Sequence, residues 1–126
     1  MLREQKSTLK SLVAIDPQAA TGDVNGNEID LKDFDSCKFV GLGDGTAIGT
    51  IKIQETDTSG SGYADAAAAD VFGTQDEAIN VSDVVKTLAY IGSKRYVRLV
   101  WTNGTNGDIA ASVELGCAHL SPVSGN

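Results

Sequence analysis

Residues 90–117 read YIGSKRYVRLVWT, then NGTNG, then DIAASVELGC. The first segment is rich in aromatic and β-branched residues, and it alternates. Arg95, Val97, Leu99 and Trp101 fall on one side, and Lys94, Tyr96, Arg98 and Val100 on the other. In the last segment Ala111, Val113, Leu115 and Cys117 alternate with Ser112 and Glu114. Gly and Asn between them tolerate left-handed dihedrals, so a C-terminal hairpin of residues 90–102 with 109–117 is predicted.

The same two-residue period recurs upstream in short runs separated by Gly, Asn, Asp and Ser. Residues 28–32 put Ile29 and Leu31 on one face behind the turn cluster 22–27. Residues 37–42 form an apolar run, and Gly43-Asp44-Gly45 is expected to reverse it into 47–55 as a second hairpin, where Ile51 and Ile53 alternate with Lys52 and Gln54. Residues 79–85 read as a short strand. The Ala-rich stretch 64–71 fits either a helical turn or a continuing edge. Residues 9–15 look extended up to Asp16-Pro17, where proline biases its predecessor away from helix. The expected fold is therefore all-β, a single β-sandwich or jelly roll over residues 17–126 preceded by an extended N-terminal arm, residues 1–16.

A chain of 126 residues can bury one core. With one Trp, three Phe, three Tyr and one Met, Val, Ile, Leu and Ala must supply most of it. The net charge of −7 argues against a nucleic-acid surface, which needs clustered Lys and Arg. Charge is unevenly distributed: Arg3, Lys6 and Lys10 lie in the first ten positions, and Lys86, Lys94, Arg95 and Arg98 close together later. Residues 54–83 hold seven acids and no base. Opposite faces that meet different neighbours, including sister copies, would use such polarity. The apolar run 12–15 is too short for a signal-peptide core or a membrane span, so a soluble product made in the cytoplasm is expected, with no membrane partner.

Chemistry finds little to work with. The chain has a single histidine, His119, whereas nucleophilic or acid/base sites generally need a histidine or tuned carboxylates in a pocket. Acid pairs such as Asp33 with Asp35 or Asp76 with Glu77 suit turns. Residues 23–30 place oxygen ligands at alternate positions, as calcium loops do, but Glu28 stands where an EF-hand needs glycine and Phe34 where it needs glutamate. Residues 41–45 echo a phosphate-binding glycine loop but lead into a strand, without the helix start that holds phosphate. Cys37 and Cys117 lack metal-site or redox spacing and read as buried thiols, with a disulfide between them open only if their strands are neighbours. No catalytic residue, metal or cofactor is expected, and the protein is read as no enzyme. Arg95 and Arg98, beside Tyr96 and Trp101, could bind an acidic partner or stack on a sugar; the plainer alternative is an amphipathic strand whose arginine stems cover the core edge.

The order of several short motifs resembles small virion proteins of tailed phages. These are Leu12-Val13-Ala14-Ile15-Asp16-Pro17, then Ile29-Asp30-Leu31, then Ile51-Lys52-Ile53-Gln54-Glu55-Thr56-Asp57 with a Ser/Gly loop to Tyr63. Ala69-Asp70-Val71-Phe72-Gly73 and the segment from Tyr90 to Leu99 follow. The resemblance spans most of the chain and is to the capsid decoration or cement (minor head structural) proteins. It implies a β-sandwich or jelly-roll subunit on the virion's capsid surface that binds the major capsid protein and forms homo-oligomers, trimers above all. It carries over no catalytic residue. Arg3, Lys6, Lys10, Arg95 and Arg98 are the candidate contacts to capsid or sister subunits. The alternatives are a head-completion or tail-associated virion protein, and a carbohydrate-binding sandwich that stacks sugars on Tyr63, Tyr96 or Trp101.

Overall fold

The computed structural model describes residues 9–118, the last two by backbone alone. Eleven strands run in chain order: β1 (Lys10–Ala20), β2 (Val24–Asn25), β3 (Ile29–Asp30), β4 (Phe34–Gly43), β5 (Ile48–Thr56), β6 (Ala64–Asp65), β7 (Val71–Phe72), β8 (Glu77–Ile79), β9 (Val85–Tyr90), β10 (Tyr96–Thr105) and β11 (Gly107–Ala118). A single 3-10 turn, Ala68–Asp70, precedes β7, so the Ala-rich stretch is part edge strand and part helical turn.

The strands form two antiparallel sheets, a β-sandwich as expected. Sheet I has the order β1-β11-β4-β9-β7. Sheet II has the order β2-β10-β5-β6, with β3 also beside β10 and β8 also beside β5. The alternation read from sequence decides which side chains meet between them. Cys37 and Phe39 of β4, Val113 and Leu115 of β11, Ile51 and Ile53 of β5, and Val97, Leu99 and Trp101 of β10 are all buried. Aliphatic residues make up most of this core. Close approach governs two places: a Cβ on Gly49 would lie 2.6 Å from the Trp101 ring, and one on Gly41 would press on Ile51 and Ile79. Trp101 lies over β5 where there is no side chain, and its indole N–H donates to Asn103 Oδ1 at 3.0 Å.

Both predicted hairpins have the right strands and the wrong partners. β4 lies in sheet I and β5 in sheet II, and so, respectively, do β11 and β10. Each connection is an arch that carries the chain between sheets. Asp44 builds the first: its Oδ1 accepts from the N–H groups of Thr46 (2.8 Å) and Ala47 (3.0 Å) and from the Thr46 hydroxyl (2.8 Å). Its Oδ2 accepts from Asp108 N–H at 3.0 Å, tying the second arch to the first. Gly107 makes the second crossing, since a Cβ there would lie 2.5 Å from Ala47 N. These donors hold the Asp44 carboxyl far below the usual carboxylate range, Asp108 N–H contributing most.

Three other expectations shift. Residues 90–102 are not one strand, because β9 ends at Tyr90 and β10 starts at Tyr96. The buried Tyr90 hydroxyl accepts from Lys94 N–H in the intervening loop, and burial pushes its pKa up to about 12. Residues 79–85 hold the end of β8, a turn and the start of β9. Asn80 Oδ1 caps that turn by accepting from Ser82 and Asp83 N–H. Residues 1–8 of the expected arm lie outside the described residues; from Lys10 the chain is an edge strand whose ladder with β11 runs on past Asp16 to Ala20. Pro17 sits in a register shift between Ile15 and Gln18, where an edge strand loses no ladder hydrogen bond to proline.

One side of the sandwich is stitched shut. Between β2 and β3 the chain bulges away from β10, so that Gly26 N–H donates to Leu99 O in sheet II and Asn27 N–H to Ala14 O in sheet I, at 2.8 and 2.7 Å. A Cβ on Gly26 would stand 2.5 Å from both carbonyl oxygens.

Candidate functional site

The residues singled out from sequence do not converge. Arg3 and Lys6 lie outside the described residues, as does His119. Lys10 opens β1 opposite Leu115, in sheet I. Arg95 and Arg98 belong to the other sheet. Arg95 precedes β10 and grips Asp30 with two nitrogens, both at 3.0 Å, while its guanidinium lies 5.0 Å from the centroid of the Tyr96 ring. Arg98, on the outward row of β10, donates twice to Gln54 Oε1 (2.9 and 2.7 Å) and covers the Tyr63 ring at 4.2 Å. The amphipathic-strand reading thus describes Arg98, with its partners supplied by β5 and the loop before β6.

The outer surface of sheet II continues this pattern. Gln54 Nε2 and Lys52 both hold Asp65, and Lys94 holds Asp57 at 3.0 Å. Glu28, beside the bulge, clamps the Ser/Gly loop. Its Oε1 accepts from Gly60 N–H (2.7 Å) and the Tyr63 hydroxyl (2.6 Å), and its Oε2 from the Ser59 hydroxyl (2.7 Å). The Tyr63 hydrogen bond is the main reason that the Glu28 pKa falls; Arg95 lowers Asp30 and Lys94 lowers Asp57 in the same way. Desolvation, with Glu28 second, raises the Tyr63 pKa. The oxygen-rich segment 23–30 therefore has protein donors: Asp23 accepts from Asn103 N–H, Glu28 from the loop and Asp30 from Arg95. Among the described residues no three His, Cys, Asp or Glu side chains gather as a metal set would. Cys37 is a buried free thiol, its pKa pushed up to about 12 by desolvation. Trp101 lies in the core, which removes it as a sugar platform.

The outer surface of sheet I is of another kind. Val13, Leu42 and Val85 are each about half exposed on three different strands, at 51%, 46% and 50%. With Ile15, Pro17, Val40, Ala110, Ala111 and Ser112 they line a shallow groove of about 300 Å³. The ladder places Val40 opposite Ser112 and Leu42 opposite Ala110, with Thr87 and Val85 next to them on β9. None of these outward side chains is charged. Charges border this row at both ends: Lys38 and Glu114, opposite one another, at one, and Asp108 of β11 with the arch residue Asp44 at the other. Sequence reading missed this surface, although residues 37–42 signalled it. A strand apolar at both alternating sets is one whose two faces both seek cover.

No protein-family model matches the sequence, and no curated protein matches it significantly. Among solved structures the chain is similar to the SPBc2 prophage-derived protein YomS, with a TM-score of 0.57 at 15% identity, over 85% of this chain and 91% of that one. At that identity the likeness is one of fold: the same sandwich, over nearly its whole length, occurs in a protein of prophage origin.

Proposed function

We propose that the chain is a non-enzymatic structural protein of a tailed-phage virion, which decorates or cements the capsid by binding the major capsid protein on its outer surface. The observation that carries this reading is the fold shared with a prophage-derived protein over 85% of the chain. The ordered motifs that resemble decoration proteins agree with it. A net charge of −7 keeps such a subunit soluble in the host cytoplasm before assembly, and many weakly held copies then gain affinity together. Arg95 and Arg98 are occupied within sheet II, so the basic residues at the N-terminus, Arg3, Lys6 and Lys10, are the better contacts for an acidic capsid surface. Homo-oligomers belong to this proposal; trimers are what the sequence resemblance implies.

The test is to add the purified protein to empty capsids that lack it, then locate and count bound copies by electron cryomicroscopy. Decoration gives copies spread over the whole shell in lattice-related numbers, and a chain without its first ten residues should bind more weakly. Copies confined to one vertex or to the tail would replace this reading with that of a head-completion or tail protein.

A further inference from the structure

We infer that the outer surface of sheet I is a self-complementary face on which two copies of this chain pair about a two-fold axis lying parallel to β4 and β11 and midway between them. This goes beyond the proposed virion role, does not require it, and sets a two-fold pair in place of the trimer that the sequence resemblance implies.

The ladder register supports the pairing. Such an axis lays β4 of one copy over β11 of the other, and residues opposite each other within one chain then meet between chains. Large meets small: Leu42 faces the partner's Ala110, and Val40 faces the partner's Ser112. One strand further out, Val13 of β1 faces the partner's Thr87 of β9, and Pro17, turned by its bulge, faces the partner's Val85. Opposite charges meet as well, since Lys38 faces the partner's Glu114 and Glu114 the partner's Lys38. Among the described residues neither of these two forms an ion pair within its own chain. At the far border the same axis brings Asp108 towards the partner's Asp44, a like-charge approach eased by the Asp44 carboxylate being occupied by the arch it builds.

Charge also favours a second copy as the occupant. Two chains of net charge −7 repel least where they approach through a surface whose centre is free of acids, and Val13, Pro17, Val40, Leu42, Val85, Thr87, Ala110 and Ser112 form such a centre.

Sedimentation equilibrium of the full chain should give the mass of two 13.1 kDa subunits. Leu42→Glu should give the mass of one, with an unchanged circular dichroism spectrum and a melting transition that no longer depends on protein concentration. Lys38→Glu alone and Glu114→Lys alone should each weaken pairing at least ~10-fold, because each sets like charges against one another twice. Mixing these two variants in equal amounts should restore the two-chain mass, since both contacts of the mixed pair are then opposite in charge. A pairing of Lys38 with Glu114 inside one chain cannot produce that rescue. A wild-type mass of one or three chains, a Leu42→Glu variant that still pairs, or a mixture that stays single would each overturn the proposal.

Discussion

Sheet I and sheet II share one core and the same two-residue alternation, yet their outward rows serve opposite ends. On sheet II the long charged side chains of the outer surface have partners within the chain: Arg98 with Gln54 and Tyr63, Arg95 with Asp30, Lys52 with Asp65. On sheet I the outward residues Val13, Leu42 and Val85 have apolar neighbours and no polar partner, and each is about half in water. A polar row that satisfies itself fixes loops and gains little from a neighbour. An apolar row without cover gains from any surface that removes it from water. Substitutions on sheet II should therefore register as stability, and those on sheet I as association.

The scale is set by the core that both sheets share. Trp101→Ala should lower unfolding free energy by about 3–5 kcal/mol, measured by urea denaturation, because it empties a site walled by Gly49 and its neighbours. A value near zero would break the premise that the outer faces hang on one core. Arg98→Ala should come next, at about 1 kcal/mol, since it uncovers Tyr63 and frees Gln54, and it should leave the mass in solution unchanged.

Acid should weaken sheet II through its carboxylates. Glu28, Asp30, Asp57 and Asp65 all have folded-state pKa values below their unfolded ones. Their contribution is complete above the usual carboxylate range near pH 4 and is lost as pH falls through the lowered values. A melting series across that window should show the loss, and Tyr63→Phe should reduce it by removing the largest cause of the Glu28 shift. Smallest of all should be the stability changes for Val13→Ser, Leu42→Ser and Val85→Ser, each within about 0.5 kcal/mol at concentrations where the chains are single, while binding of a hydrophobic dye to the face falls. A large loss of stability there would erase the difference between the two faces.

How far the sequence reaches follows the same division. Alternation told which residues share a face: Val113 and Leu115 are buried as read, and Val97, Leu99 and Trp101, grouped on one side without a choice of which side faces in, are buried together. It could not tell a hairpin from an arch. Gly43-Asp44-Gly45 and residues 103–107 carry the same turn chemistry in either case, and the crossings depend on Asp44 reaching Asp108 across 64 positions. The candidate contacts behaved likewise. Arg95 and Arg98 were visible as charges, but Asp30 and Gln54 lie 65 and 44 residues away, and nothing local names them. The apolar outer row of sheet I was legible in principle in residues 37–42, where a one-sided strand would have shown polar residues at Val40 and Leu42.

The position of β11 bears on how the chain comes to be folded. It is translated after every other described strand, yet it lies between β1, translated first, and β4. Until residues 107–118 have left the ribosome, β1 has no ladder partner and β4 lacks one of its two neighbours. Sheet I is therefore completed only once β11 is free to insert, in a single late step that joins the two ends of the described chain.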